Sequence, residues 1–218
     1  MKNFKKIILL IFILLLPLTL RFFAQENLVD EKRFSEVQLA ELKFQQELSL
    51  IQNKLRKDNE PFLLFHEQKT KFSFLLIHGF TASSWEMGDL GQYLYIKGFN
   101  VYGMLLEGHG TKKEDLLDIK WEDWYQSVED AYELTKLIGD KVIVVGLSTG
   151  GNLALHLAAN KPEVSGVISL ASAIFFEDWK INFSGAGKYF IKYNLRPLPS
   201  GLKPYYYENR AVSAIHEV

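Results

Sequence analysis

Cysteine is absent from the 218 residues. That excludes disulfides, thiolate metal sites and a cysteine nucleophile, but it does not fix the compartment. Neither sign of charge dominates, since 25 basic residues stand against 26 acidic ones. With no long basic block either, no nucleic-acid partner is expected. Repeats of fixed period and low-complexity tracts are lacking, which removes solenoids and linker-like chains. The five histidines show no helical or hairpin ligand spacing with a third ligand, so no metal and no cofactor are expected. What remains is a nearly neutral chain, 48% hydrophobic, long enough for one domain with a sizeable core.

The N-terminus departs from the rest. A basic leader, "MKNFKK", precedes the apolar run "IILLIFILLLPLTL", which has the length of a signal-peptide core. Extending the run through Phe22 and Phe23 approaches a bilayer span at the expense of including Arg21. Residues 1–24 are therefore expected to be a signal anchor, with cleavage after Ala24 as the alternative. The protein is placed at the membrane or exported, in a bacterial cell envelope. Residues 25–60 are charged and free of glycine and proline. Val37, Phe44, Leu48, Ile51 and Leu55 fall near one helical face. An amphipathic helical stalk is expected, the alternative being a helix packed on the domain.

The most informative stretch is "KVIVVGLSTGGNLAL", Lys141 to Leu155. Val142, Ile143, Val144 and Val145 are β-branched and apolar in sequence, as in a strand buried on both faces. After Ser148 the period changes: Leu153, Ala154, Leu157 and Ala158 recur at helical spacing until Asn160 and Pro162. Ser148 thus occupies a tight turn from strand to helix, flanked by Gly146 and Gly150. A hydroxyl held there projects beside the positive end of a helix, where a developing oxyanion is stabilised. The simpler reading is that Ser148 only caps the helix.

From Pro61 onward, apolar strand-like runs alternate with helical ones. "FSFLLIHGF" reads as a buried strand, Ala82 to Lys97 as a helix closed by Gly98, and "NVYGMLLEGHG" as a strand ending in a glycine-rich loop. Trp121 to Ile138 reads as a helix, and "VSGVISLAS" as a strand after the Ser148 unit. Such alternation predicts a mostly parallel α/β sheet with helices on both faces, with ligands bound at the carboxyl ends of the strands.

"HGFT" at His78 to Thr81, "EGHG" at Glu107 to Gly110 and "GLSTGG" at Gly146 to Gly151 resemble, in order and spacing, the α/β-hydrolases of the carboxylesterase and monoacylglycerol-lipase-like branch. The resemblance covers residues 61–218, a partial α/β-hydrolase domain. It implies Ser148 as nucleophile and the backbone N–H groups of Phe80 and Thr149 as the oxyanion hole. Glu107 stands where relatives often carry proline. The order of such triads is serine, then acid, then histidine. His78 and His109 precede Ser148 and are expected to brace loops. His156 lies too far along the nucleophile helix to return to Ser148, and His66 is expected at the surface.

A serine needs a base and the base an acid. Asp178 and His216 have the right order and are the alternative acid and base. The resemblance instead implies that residues 172–209 or so form a cap, and that the strands carrying acid and base begin after Val218. The cap aromatics, among them Tyr205, Tyr206 and Tyr207, either line an acyl pocket or form the core of a small helical lid. The expected activity is cleavage of carboxylic esters, monoacylglycerols or other short to medium acyl esters, through an acyl-enzyme at Ser148. The expected partner is a small ester with an apolar acyl group. A non-catalytic binding or scaffold protein, or another acyl chemistry such as acyl transfer or peptide cleavage, is the alternative.

Overall fold

The computed structural model describes residues 35–172, 174 and 188–218. The expected signal segment and Asp178 lie outside the described residues. Among those described, no helix is long and apolar enough to cross a membrane.

Five strands form the central sheet: β1 (Phe62–Leu64), β2 (Thr70–Ile77), β3 (Asn100–Gly103), β4 (Gly139–Leu147) and β5 (Gly166–Leu170). Their spatial order is β1-β3-β2-β4-β5. All neighbouring pairs are parallel except β1 against β3, which is antiparallel. The connections are helical: α2 (Gly88–Ile96) between β2 and β3, α3 (Trp121–Thr135) between β3 and β4, and α4 (Thr149–Asn160) between β4 and β5. A separate two-stranded antiparallel sheet pairs β6 (Tyr193–Leu195) with β7 (Asn209–Ala211), and α5 (Val212–Glu217) follows.

Alternation along the strands explains why both faces of the sheet are apolar. Leu75, Ile77, Val142 and Val144 point to one face and pack with Trp124 and Val128 of α3 and Leu153 and Leu157 of α4. Leu76, Val101 and Val145 point to the other, where Leu90 and Leu94 of α2 cover them. The expected helix over residues 82–97 opens as a single 3₁₀ turn, Ser84–Met87, before α2 begins. Gly98 closes it in the left-handed region, at φ 89°, as a helix terminus favours.

The segment expected as a stalk is helical from Glu36 to Ile51 and is labelled α1. It does not stand free. Val37, Ala40 and Phe44 are buried in the same core as α3 and β3, and the Phe44 ring meets Tyr102 edge-on at 5.8 Å. Over these residues the helix is a layer of the domain, and Glu36 to Val218 forms one compact unit. The apolar face is readable in the sequence; the surface it covers is not.

Candidate active site

β4 ends at Leu147 and α4 begins at Thr149, so one residue makes the whole turn. That residue, Ser148, has φ 54° and ψ −116°. A side chain there carries strain on the order of 1–3 kcal/mol, held only because the surroundings over-determine it. Its N–H donates to Leu170 O at 2.8 Å, continuing the ladder with β5, and its carbonyl accepts from Gly151 N at 2.9 Å. The two glycines are required by close approach. A Cβ on Gly146 would run into the Gly150 carbonyl, and one on Gly150 would meet His78 O at 2.6 Å and Ile77 O closer still.

This geometry does not fit the capping reading of Ser148. A capping serine keeps an extended backbone and uses its oxygen to accept from the first helical turn. Ser148 has a positive φ and makes no side-chain cap hydrogen bond. The strained residue sits at the sheet edge, at the N-terminus of α4.

The loop after β2 lies against this turn, since a Cβ on Gly79 would sit 3.4 Å from Ser148 Cβ. Its backbone is tied down at nearly every position. The Gly79 carbonyl accepts from His78 Nδ1 at 2.8 Å and from Ala82 N at 3.2 Å. Gly79 N donates to Glu86 Oε2 at 2.7 Å. Thr81, at φ 69°, donates its N–H to His109 Nε2 at 3.2 Å and accepts at its carbonyl from Tyr207 N at 3.0 Å. Phe80 N–H is the exception, with no acceptor among the described residues. In a trans peptide the N–H points opposite to the carbonyl before it, so fixing Gly79 O fixes the direction of Phe80 N–H. Thr149 N–H, in the first turn of α4, likewise has no partner within its helix.

His78 and His109 brace this loop, as their place in the chain predicts. Leu106 N donates to His78 Nε2 at 3.1 Å, so Nδ1 carries the proton. His109 Nε2 accepts from Thr81, so its Nδ1 donates to Glu107 O at 3.1 Å. Both rings are buried and lie 5.0 Å apart. Burial pushes His78 down to about 4. His109 is driven well down by burial and then by His78. Neither is a base for Ser148. The Glu107 side chain is exposed while its carbonyl also takes the Trp124 indole N–H at 3.1 Å, so this departure acts through the backbone.

His156 is exposed and edge-on to Tyr125 at 4.6 Å. His66, expected at the surface, is half-buried and stacks on Tyr95 at 4.6 Å. His216 is exposed on α5, although its neighbour Ile215 reaches the cavity in front of Ser148. That cavity, of about 130 Å³, is bounded by Phe80, Ser148 and Thr149 on one side and by Arg196, Arg210 and Ile215 on the other. Arg196 and Arg210 among its lining residues set it apart from a pocket lined by aromatics alone. A larger open depression of about 900 Å³ lies between the loop after β3 and the end of α1, away from Ser148.

The aromatic run Tyr205–Tyr207 does not line the Ser148 cavity. Tyr205 stacks on Trp85, with ring centres 3.9 Å apart and planes within 6°. The Tyr206 hydroxyl donates to Glu86 Oε1 at 2.6 Å. The Tyr207 hydroxyl accepts from Thr111 N at 3.0 Å and donates to Gly108 O at 3.3 Å, under the guanidinium of Arg56. The described part of the expected cap contains β6, the first residue of β7 and one 3₁₀ turn, Ser200–Leu202; residues 173 and 175–187 lie outside the described residues.

Residues 68–201 match the family model described as serine aminopeptidase, S33. The chain belongs to this α/β-hydrolase family. Among individual proteins, the thermostable monoacylglycerol lipase of Bacillus sp. (strain H-257) is 32% identical over 124 residues, 57% of this chain and 50% of the lipase. The carboxylesterase of Bacillus subtilis (strain 168) is 32% identical over 120 residues, 55% of this chain and 48% of the esterase. The chain thus spans about half the length of these family relatives. Among solved structures, that reported for the metagenome-derived lipolytic enzymes LipS and LipT superposes with a TM-score of 0.67 at 24% identity. The match covers 75% of this chain and 67% of that one. The structural likeness establishes the α/β-hydrolase fold, mostly parallel with helices on both faces.

Proposed function

We propose that the protein hydrolyses carboxylic esters through an acyl-enzyme at Ser148, with the Phe80 and Thr149 N–H groups receiving the oxyanion. The observation that carries this reading is the backbone of Ser148, positive in φ and free of any capping bond. Attack by Ser148 Oγ on the ester carbonyl forms the Oγ–C bond and moves the carbonyl electron pair onto oxygen. That oxygen is received by two backbone donors that need no reorientation. Collapse expels the alcohol and leaves the acyl group on Ser148, and water then releases the acid. A base must take the serine proton and an acid must orient that base. Asp178 and His216 are the pair to test within this chain.

The names of the monoacylglycerol lipase and carboxylesterase relatives favour esters of glycerol or small alcohols as substrates. We assign the apolar N-terminal run the task of holding the enzyme at a membrane surface. Peptide cleavage is the second reading, favoured by the family description itself.

The test is a fluorophosphonate probe together with a panel of p-nitrophenyl esters, monoacylglycerols and aminoacyl anilides, applied to the wild-type protein and to Ser148→Ala. Labelling and ester turnover are expected to vanish in the Ala variant, with kcat falling on the order of a million-fold. Unchanged ester hydrolysis in that variant refutes the nucleophile. Turnover of anilides in preference to esters replaces the esterase reading with the peptidase one.

A further inference from the structure

We propose that Glu86 is the positioning residue of the oxyanion loop, joining it to the chain that returns from the cap. The inference rests on the reading of Phe80 N–H as an oxyanion donor. Glu86 lies half-buried in the 3₁₀ turn that precedes α2 and uses both carboxylate oxygens. Oε2 accepts from Gly79 N at 2.7 Å, and Oε1 accepts from the Tyr206 hydroxyl at 2.6 Å. The first bond fixes the peptide entering Gly79. The bonds from His78 and Ala82 to Gly79 O fix the peptide leaving it, and that second peptide carries Phe80 N–H. The donor is therefore held from both sides of Gly79, and Glu86 is the side-chain anchor on one of them.

The charge of Glu86 argues for a positional task. A carboxylate near a developing oxyanion opposes it electrostatically, so its presence at the loop has to be justified by geometry. An ionised carboxylate accepts stronger hydrogen bonds than a neutral amide oxygen and has two acceptors set at a fixed angle. Glu86 uses one on each partner. The neighbouring residue reinforces the grip, because Trp85 stacks on Tyr205. The dipeptide Trp85-Glu86 thus holds the dipeptide Tyr205-Tyr206 at two points, 120 residues apart in sequence for the Glu86–Tyr206 bond. Burial, and then the bond to Glu86, push the Tyr206 phenol well up, so it remains a donor throughout the assay range.

The experiment compares Glu86→Ala, Glu86→Gln, Tyr206→Phe and Ser148→Ala in the full chain. It measures kcat and KM for a p-nitrophenyl ester, the second-order rate of fluorophosphonate labelling, and the melting temperature. Removing an oxyanion donor costs 10²–10³ in kcat; misplacing one is expected to cost about 10- to 100-fold. Glu86→Ala should show that fall in kcat and in labelling rate, with KM within about threefold. Glu86→Gln keeps an acceptor for Gly79 N and a donor for the Tyr206 oxygen, and should recover most of the rate. Tyr206→Phe frees only one carboxylate oxygen and should give a smaller fall than Glu86→Ala. Should Glu86→Ala fail to fold, Glu86→Asp carries the test, because it keeps the charge but is one methylene too short to hold both partners. Wild-type kcat in Glu86→Ala, or in a folded Glu86→Asp, overturns the inference. So does a Gln variant as slow as the Ala variant. Activity retained in Ser148→Ala fails the underlying reading instead, so the two failures are distinguishable.

Discussion

Acidification should loosen this domain through the two histidines that brace the loop carrying Phe80, and the size of the effect follows from their burial. His78 is fully buried, accepts from Leu106 N–H at Nε2 and titrates at about 4 when folded, against an ordinary 6.5. The folded value lies below the unfolded one, so the unfolded chain takes up the proton first. Its contribution is fully present above about 6.5 and is lost as pH falls towards 4. A tenfold change in proton affinity corresponds to about 1.4 kcal/mol, which makes the full difference about 3 kcal/mol and the loss between pH 7 and pH 5 about 2 kcal/mol. His109, lowered by burial, by His78 and by Arg56, adds to the loss in the same direction. For a domain of this size, 2 kcal/mol corresponds to a melting temperature lower by roughly 4–8 °C. The perturbation that isolates His78 is His78→Gln. Glutamine retains an acceptor for Leu106 N–H but cannot titrate. The variant should be less stable at pH 7, having lost the bond to Gly79 O, and should lose about 2 kcal/mol less than the wild type on going to pH 5. Urea or thermal melting of both proteins at the two pH values measures this. Equal acid-induced losses would refute the tautomer and burial argument.

Two further outcomes follow from packing. Phe44→Ala should destabilise the domain by about 3 kcal/mol, because the ring is buried against Tyr102 in the main core; a change within about 0.5 kcal/mol, the range of surface sites, would return the helix to the status of a free stalk. Gly150→Ala should abolish labelling of Ser148 even where some folded protein survives, because the added methyl meets the carbonyls of Ile77 and His78; circular dichroism with probe labelling checks both halves of that statement.

The parts of the fold legible in the sequence are those set by local rules. The run Val142–Val145 has to be a strand buried on both faces, and a single serine between Gly146 and Gly150 has to turn tightly into α4, because only glycine tolerates those backbone approaches. β1 and the β6/β7 pair span three residues each, too few for a period to register. The docking of α1 is hidden for a different reason: an amphipathic face states that something covers it but not what. At the site, the triad order of the family the sequence resembles points to a bracing part for His78 and His109, whereas their tautomers depend on Leu106 and Thr81, 28 residues distant in each case. Glu86 and Tyr206 carry no sequence signal at all. A lone glutamate in a turn and a tyrosine in an aromatic run acquire meaning only when folding makes them adjacent.

The tyrosine staples also set a time at which the site can first exist. Thr81 and Glu86 emerge from the ribosome long before Tyr206 and Tyr207, and the Glu86 bond spans 120 residues. At roughly 5–20 residues per second, synthesis of that interval takes roughly 6–24 s. Throughout it the loop carrying Phe80 lacks its bonds to Tyr206 and Tyr207. On the proposed reading of Phe80 N–H as an oxyanion donor, a nascent chain has no fully anchored donor loop until residues 206 and 207 have been made, and the order of translation becomes part of how the proposed site is assembled.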